Sequence, residues 1–295
     1  MTTVIDVPHS LDEHSFEQVL EQLAALPEDA KTLLDARRCK WASPYGLASL
    51  LTIGQTRLHV RPTLAVPESD DTASYWARSN FFHYAEDFFD LTGIVPRRGG
   101  QKDSQVLLEL TPISKTEDVH EVVGRIQQKA QQIIANELGI DTKAIVGFSM
   151  TLSEVCQNII EHAGLGGWVM VQTYKWQRRL GRRVVVIAVC DAGLGFRKSL
   201  ETSGSHSPGD RWDDAAALEA AVIRGVSRFR DPGRGQGLAG VRKYVGRWNG
   251  KLSVRSGTAR IALVPEWDED VPLTEHMPYF PGAQIQVTIP ERIAR

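Results

Sequence analysis

The feature that most constrains the fold of this chain is a set of three polar motifs, each attached to a predicted helix or strand. The first motif, SEVCQNIIEHAG at residues 153–164, places Glu154, Asn158 and His162 four residues apart. Four residues turn an α-helix by about 400°, so these side chains share one face. The opposite, core-facing stripe has apolar residues at Phe148, Leu152, Val155 and Ile159. A helix is therefore predicted, although its polar face alone fits a solvated edge as well as the wall of a ligand site.

The second and third motifs are rich in glycine. CDAGLGF at residues 190–196 follows the apolar segment VVVIAV, a predicted strand, so Asp191 ends the strand. Gly193 and Gly195 then allow the backbone to approach a ligand closely beside that carboxylate. GRGQG at residues 233–237 opens the predicted helix LAGVRKYVGRW, whose N-terminal N–H groups suit a phosphate. It is neither a Walker A sequence, which ends in GK[ST], nor a Rossmann fingerprint.

In this order, the three motifs resemble the GHKL ATP-binding fold. This superfamily includes sensor histidine kinases, anti-sigma-factor serine kinases, Hsp90, MutL and the ATPase domains of type II topoisomerases. The resemblance covers roughly residues 115–290. The segment ELGIDTKAIVGFSMTLSEVCQNIIEHAG is most similar to the anti-sigma-factor serine kinases, and DAAALEAAVIRGVSRF through GRGQGL is similar to their lid helix and second glycine box. The resemblance implies an α/β (α+β) Bergerat-type sandwich that binds ATP and Mg²⁺.

The resemblance also implies roles for the polar residues of the first two motifs. Asn158 would coordinate Mg²⁺, which prefers oxygen ligands and bridges the phosphates. Glu154 would act as general base towards the attacking water or protein hydroxyl. Asp191 would accept a hydrogen bond from the adenine amino group. For His162 two roles stay open: orienting the lid or a phosphate, and stabilising the C-terminus of its own helix.

The remaining implied ATP-binding residues are mostly glycines. Gly193 and Gly195 would let the chain pass the purine, and Gly282 stands where the family has a small glycine-containing motif before its last strand. Arg234 would contact the γ-phosphate or stand as a solvated loop residue; both remain open. The lid around the phosphates would be formed by Gly233, Gly235 and Gly237, followed by Leu238.

The N-terminal segment, residues 1–95, alternates predicted strands and helices, which indicates a small α/β domain. The segment TLLDARRCKWASPYGLASLL resembles the strand, loop and helix of STAS-like domains, the fold of anti-sigma-factor antagonists. Phosphorylatable members carry Asp-Ser-Ser-Gly in that loop, whereas this chain has Ser43, Pro44 and Tyr45, so the usual phosphoacceptor is absent. Ser43 is predicted to cap the following helix.

The chain is thus predicted to contain a STAS-like domain at residues 1–95, a linker and connecting strand at 96–114, and a GHKL domain at 115–295. A long helix is expected over residues 117–138. In the N-terminal domain, Ser10 and Glu13 have the spacing of a capping box and predict the start of the first helix.

The composition of the chain limits the kinds of binding partner that can be expected. The 295 residues include 34 basic and 36 acidic side chains, a net charge of −2, which gives no reason to expect DNA or an anionic membrane. The basic segment RRLGRR at 178–183 is explained by a polar turn between two strands. Three widely spaced cysteines without a CxxC pair argue against disulfides or structural zinc. No signal peptide and no membrane-length apolar run are present, so a cytoplasmic protein is expected.

Three functions follow from the resemblance. The favoured one is an anti-sigma serine kinase-like regulator, which transfers the γ-phosphoryl of ATP to a sigma-factor or antagonist-like protein, because Glu154 is needed only for phosphoryl transfer or hydrolysis. The second is a nucleotide-gated binding module with slow or no hydrolysis. The third is an ATPase that dimerises on ATP, and a homodimer stays open. His120 lacks the context of a histidine-kinase phosphoacceptor, since no Thr/Ser-Pro follows it at the usual position.

Overall fold

A computed structural model of the protein describes residues 2–96, 106–137, 147, 149–157, 166–176, 180–202, 212–226 and 237–291. These residues form a mixed α/β structure, which confirms the predicted class. The N-terminal part contains a parallel sheet with the strand order β1-β3-β5-β6. Its strands are β1 Thr3–Asp6, β3 Thr32–Asp35, β5 Thr63–Ala65 and β6 Asp90–Thr92, and a separate parallel pair is formed by β2 Ser10–Leu11 and β4 Trp41–Ala42.

The helices of the N-terminal part are α1 Phe16–Ala24, α2 Pro44–Thr56, α3 Asp70–Arg78 and α4 Phe81–Phe88. The predicted cap of α2 is confirmed, because the Ser43 hydroxyl accepts a hydrogen bond from the Gly46 N–H at 3.0 Å. The predicted capping box at Ser10 is wrong. Ser10 pairs with Trp41 in the β2–β4 ladder, and the chain turns for several more residues before α1 begins at Phe16.

The second sheet has seven strands, all antiparallel, in the order β12-β11-β10-β13-β9-β8-β7. The strands are β7 Val106–Ile113, β8 Gly167–Trp176, β9 Arg182–Asp191, β10 Lys251–Gly257, β11 Ala259–Leu263, β12 Leu273–Thr274 and β13 Phe280–Pro290. Within the basic segment, Leu180 and Gly181 lie in the turn between β8 and β9, as predicted, and residues 178 and 179 lie outside the described residues.

One face of this sheet, here called the front face, carries Val185, Ile187 and Val189 of β9 and packs against helices that follow β7 in the chain. These helices are α5 Thr116–Glu137, α6 at residues 149–157, α7 Gly195–Thr202, α8 Asp214–Leu218, its π-helical continuation Glu219–Ile223, and α9 Gly237–Arg247. The bounds of α5 confirm the long helix predicted at 117–138. Leu152 and Val155 of α6 are buried in the front core, as predicted, whereas Phe148 and Ile159 lie outside the described residues.

The opposite, rear face packs against the N-terminal part. Ala188 and Cys190 of β9 belong to one core with residues of α1, α2 and α4, and the Trp168 indole N–H donates to Gln55 Oε1 at 2.9 Å. Successive strand residues point to opposite faces. Because both faces of β9 are covered, its sequence VVVIAV is apolar throughout instead of alternating.

In the described part of the chain, no helix is both long and apolar enough to cross a membrane.

Candidate functional site

Asp191 ends β9 on the front face, since it lies two residues after Val189. Its side chain is buried, and its Oδ1 accepts a hydrogen bond from the Gly193 N–H at 2.8 Å. Burial raises the pKa of the Asp191 carboxyl from 3.8 to about 7, although the backbone N–H groups of Gly193 and Ala283 lower it. The structure thus holds a carboxyl group at this strand end that titrates near neutral pH.

The turn after Asp191 brings Gly195 against two distant segments. Gly195 has φ +72° and begins α7, and a Cβ at this position would lie 2.7 Å from Ser256 Oγ and 3.1 Å from the Gly282 carbonyl oxygen. Both the backbone conformation and the space therefore require glycine. The side chain of Leu194, which lies between Gly193 and Gly195, is exposed.

Gly282 lies directly beside Asp191. It has φ +77°, and a Cβ would come within 2.1 Å of the Asp191 carbonyl oxygen and 2.5 Å of Oδ1. Gly282 lies about 90 residues after Asp191 in the sequence, and only the family resemblance pointed to it. The pairing of β13 with β9, in which Gln284 is opposite Cys190, brings the two residues together.

Two residues of this region were missed by the sequence analysis. The Ser256 hydroxyl accepts a hydrogen bond from the Phe196 N–H at 3.1 Å and donates to the Gly282 carbonyl at 2.7 Å. The Gln284 amide donates to the carbonyl oxygens of Asp191 at 3.1 Å and Pro281 at 3.0 Å. No local pattern marks Ser256 or Gln284, because their role depends on which strands pair.

Glu154 lies on α6, beside the buried residues Val155 and Cys156 of the front core. Its side chain is partly exposed, and it has an interaction partner within the structure. Glu154 and Asp191 therefore belong to elements on the same side of the sheet. The other two residues of the first motif, Asn158 and His162, lie outside the described residues.

The third motif is described only at its end. Gly233, Arg234 and Gly235 lie outside the described residues, whereas Gly237 has φ +54° and begins α9. A Cβ on Gly237 would meet nothing within 4 Å, so its φ alone favours glycine. The Leu238 side chain is buried in the front core, which leaves only its backbone for a ligand.

The loop before α2, which the sequence analysis compared with a phosphorylation loop, is occupied by structural side chains. The buried Ser43 hydroxyl caps α2, and Tyr45 is fully buried beside Phe16, with ring centroids 5.9 Å apart. Both residues are buried, and the absence of the usual phosphoacceptor stays a prediction from the sequence.

Among the described residues, one group has the spacing of metal ligands: Glu13, His14 and Asp270. It lies on the rear side, where the Lys251 ammonium already contacts Glu13 Oε1 at 2.7 Å and Asp270 Oδ2 at 2.8 Å. This cation holds the position between the carboxylates that a metal ion would take. The predicted magnesium ligand, Asn158, is outside the described residues and stays a prediction.

Comparison with known proteins adds no identification: no family model matches the chain, and no curated protein matches it either.

Proposed function

We propose that this protein is an ATP-binding regulator of the GHKL type, with an anti-sigma serine kinase-like activity that transfers the γ-phosphoryl group to a partner protein. The observation that carries the proposal is the buried Asp191 carboxyl at a strand end, bordered by two positive-φ glycines, Gly195 from the following turn and Gly282 from the distant strand β13. In the same proposal, residues 115–295 form the Bergerat-type domain and residues 1–95 a STAS-like domain.

Asp191 and the glycines around it, here called the Asp191 wall, have chemistry that suits an adenine ring. A carboxylate accepts a hydrogen bond from the exocyclic amino group, and glycines without side chains allow a flat ring to lie against the backbone. A purine with a carbonyl oxygen in place of the amino group offers no such donor. It would leave the buried carboxylate without a partner and should therefore bind more weakly. Asp191 therefore provides base specificity, with Gly193, Gly195 and Gly282 as the surrounding surface.

The phosphate end of the nucleotide is assigned to α6 and α9. Gly237 begins an eleven-residue helix, and the positive end of a helix stabilises phosphate charge. Asn158 would hold Mg²⁺, which neutralises charge on the phosphates. Glu154 would remove the proton from the attacking hydroxyl as general base. The proposed roles of Gly233, Arg234, Gly235 and His162 rest on the resemblance alone.

The experiment that tests the proposal compares ATP with inosine triphosphate, which has a carbonyl oxygen in place of the adenine amino group. Isothermal titration calorimetry at about pH 8, above the raised pKa of Asp191, should give clearly tighter binding of ATP by the wild-type protein, because the ionised carboxylate accepts a hydrogen bond and cannot donate one. Asp191→Asn should lose about tenfold in ATP affinity and most of the preference over inosine triphosphate, because a charge-assisted hydrogen bond becomes a neutral one.

A matched control is Glu109→Gln, which changes another buried carboxylate of the same sheet. Glu109 lies on the edge strand β7, and its Oε2 is 3.1 Å from Arg125 Nη2. This variant should bind ATP as the wild-type protein does. Equal affinity of wild-type protein for the two nucleotides, or unchanged preference in Asp191→Asn, would contradict the assignment of Asp191.

A second candidate function is a nucleotide-gated binding module without transfer. It is favoured over the kinase if the protein binds Mg-ATP but labelled ATP transfers no phosphoryl group to any protein partner. In both cases the N-terminal part packs against the rear of the same sheet that carries Asp191.

A further inference from the structure

Four consecutive residues, Arg255, Ser256, Gly257 and Thr258, contact three different parts of the molecule. The first three end β10 and Thr258 follows it, and the pairing of β10 with β13 shifts register between Ser256 and Gly257. Such a bulge reorients neighbouring side chains. This segment, residues 255–258, is therefore a junction between the rear face, the candidate site and the helix α8.

Arg255 connects the segment to the N-terminal part. Its guanidinium group is fully buried on the rear face, where Nε lies 2.7 Å from Glu17 Oε1 and Nη2 lies 3.2 Å from Glu17 Oε2. The two parallel contacts form the bidentate geometry that is specific to arginine and a carboxylate. Arg255 Nη1 also donates to the Gly257 carbonyl at 3.1 Å, so the same side chain holds the bulge.

Ser256 connects the segment to the candidate site. It lies on the front face, and its hydroxyl joins the Phe196 N–H to the Gly282 carbonyl. Phe196 follows the DAGLG motif, and Gly282 is the residue against which Asp191 packs. A shift of Ser256 would therefore displace both Phe196 and Gly282, the two segments that border Asp191.

Thr258 connects the segment to α8. Its backbone N–H and its hydroxyl both donate to Asp214 Oδ2, at 2.8 and 2.9 Å. Asp214 is the first residue of α8, the helix that resembles the family's lid helix. Gly257 makes room for this contact, because a Cβ on it would lie 2.2 Å from Asp214 Oδ2.

We propose that the Glu17–Arg255 ion pair positions the candidate nucleotide site, so that docking of α1 on the rear face sets the conformation of residues 255–258 and, through Ser256 and Thr258, the affinity for nucleotide. Arg255 and Glu17 are positioning residues, since they contact neither Asp191 nor its glycines through any hydrogen bond or ion pair in the described structure. The nucleotide part of this inference rests on the proposed function; the structural coupling does not.

The chain contains a matched control for this proposal. Glu13, which precedes α1, forms a second buried ion pair with the same strand β10, with 2.7 Å between Glu13 Oε1 and Lys251 Nζ. Lys251 is at the opposite end of β10, and its ion-pair partners are Glu13, Asp268 and Asp270. Loss of this pair removes a comparable ion pair between the N-terminal part and β10 and leaves the contacts of α1 with residues 255–258 in place.

The test compares Glu17→Gln with Glu13→Gln, and with Arg255→Lys, which keeps the charge but loses the two-pronged geometry. Hydrogen exchange of the nucleotide-free proteins measures the Phe196 and Thr258 amides, which donate to Ser256 and Asp214. Glu17→Gln and Arg255→Lys should speed exchange at these two amides by about tenfold relative to Glu13→Gln. ATP affinity should fall about tenfold in the same two variants and stay unchanged in Glu13→Gln.

The outcomes separate this inference from the proposed function. Equal exchange at Phe196 and Thr258 in Glu17→Gln and Glu13→Gln overturns the coupling, whatever the nucleotide result. Faster exchange in Glu17→Gln, combined with no ATP binding by the wild-type protein, supports the coupling and refutes the proposed function. Faster exchange with ATP affinity that falls equally in both glutamate variants overturns the claim that this pair sets nucleotide affinity.

Discussion

Gly282 packs against Asp191 so closely that a single added carbon atom would overlap it, at 2.1 Å from the carbonyl oxygen and 2.5 Å from Oδ1. The contact joins the last strand of the large sheet to the end of β9. It also limits the positions that the Asp191 carboxyl can take, so the candidate site depends on a residue that carries no functional group.

Replacement of this glycine should therefore disrupt the site. Gly282→Ala should abolish detectable ATP binding in calorimetry and lower the free energy of unfolding by about 3 kcal/mol, the sum of left-handed backbone strain and steric overlap. Gly181→Ala is the control: Gly181 also has positive φ, +64°, but a Cβ there meets nothing within 4 Å. It should lose only about 1 kcal/mol, from backbone strain, and bind ATP normally. Equal effects of the two substitutions would refute the packing argument.

The raised pKa of Asp191 predicts a pH-dependent stability. The folded state keeps the Asp191 proton up to about pH 7, whereas the ordinary pKa of an aspartate carboxyl is 3.8. The contribution of Asp191 to the free energy of unfolding is therefore largest at acidic pH and is lost as pH rises through the folded-state pKa. Between about pH 5 and about pH 8 the loss amounts to about 3 kcal/mol.

Chemical denaturation of wild-type protein and Asp191→Asn at both pH values measures this loss. The asparagine variant has no carboxyl to ionise, so it should become more stable than the wild-type protein as the pH is raised. A difference between the two proteins that stays constant with pH would show that the Asp191 carboxyl keeps an ordinary pKa.

Ser256 is expected to matter through the hydrogen bonds that it makes. Ser256→Ala leaves the buried Phe196 N–H without its acceptor, which costs about 1–3 kcal/mol, and frees the Gly282 carbonyl. Equilibrium unfolding should show this loss, and ATP affinity should fall with it. Ser253→Ala, on the same strand but buried on the rear face, is the control and should retain ATP affinity.

Glu154 should separate binding from transfer. Glu154→Gln removes the proposed general base but keeps the shape of the side chain, so Mg-ATP affinity should stay within about twofold while phosphoryl transfer or hydrolysis falls by about 10²-fold or more. Calorimetry measures the first quantity and release or transfer of labelled phosphate the second. Undiminished turnover in Glu154→Gln would remove Glu154 from the catalytic step.

Local patterns predicted much of the secondary structure. The helix α5, the cap at Ser43 and the strand before Asp191 depend on residues close in sequence, where helix periodicity, capping and apolar runs act directly. The capping box at Ser10 failed because a long-range β pair with Trp41 competes for the same backbone. Local propensity is a weak term against such tertiary pairing.

The amino-acid sequence alone determined the chemistry offered at each motif: a carboxylate at the end of a strand, glycines that allow positive φ after it, and polar side chains four residues apart in the first motif. Tertiary structure alone decided which distant residues surround Asp191, namely Ser256, Gly282 and Gln284, and that Glu17 reaches Arg255 across the rear of the sheet. The physical reason is that motifs follow from local backbone and side-chain preferences, whereas these contacts follow from strand order and register, which are selected by the packing of the whole core.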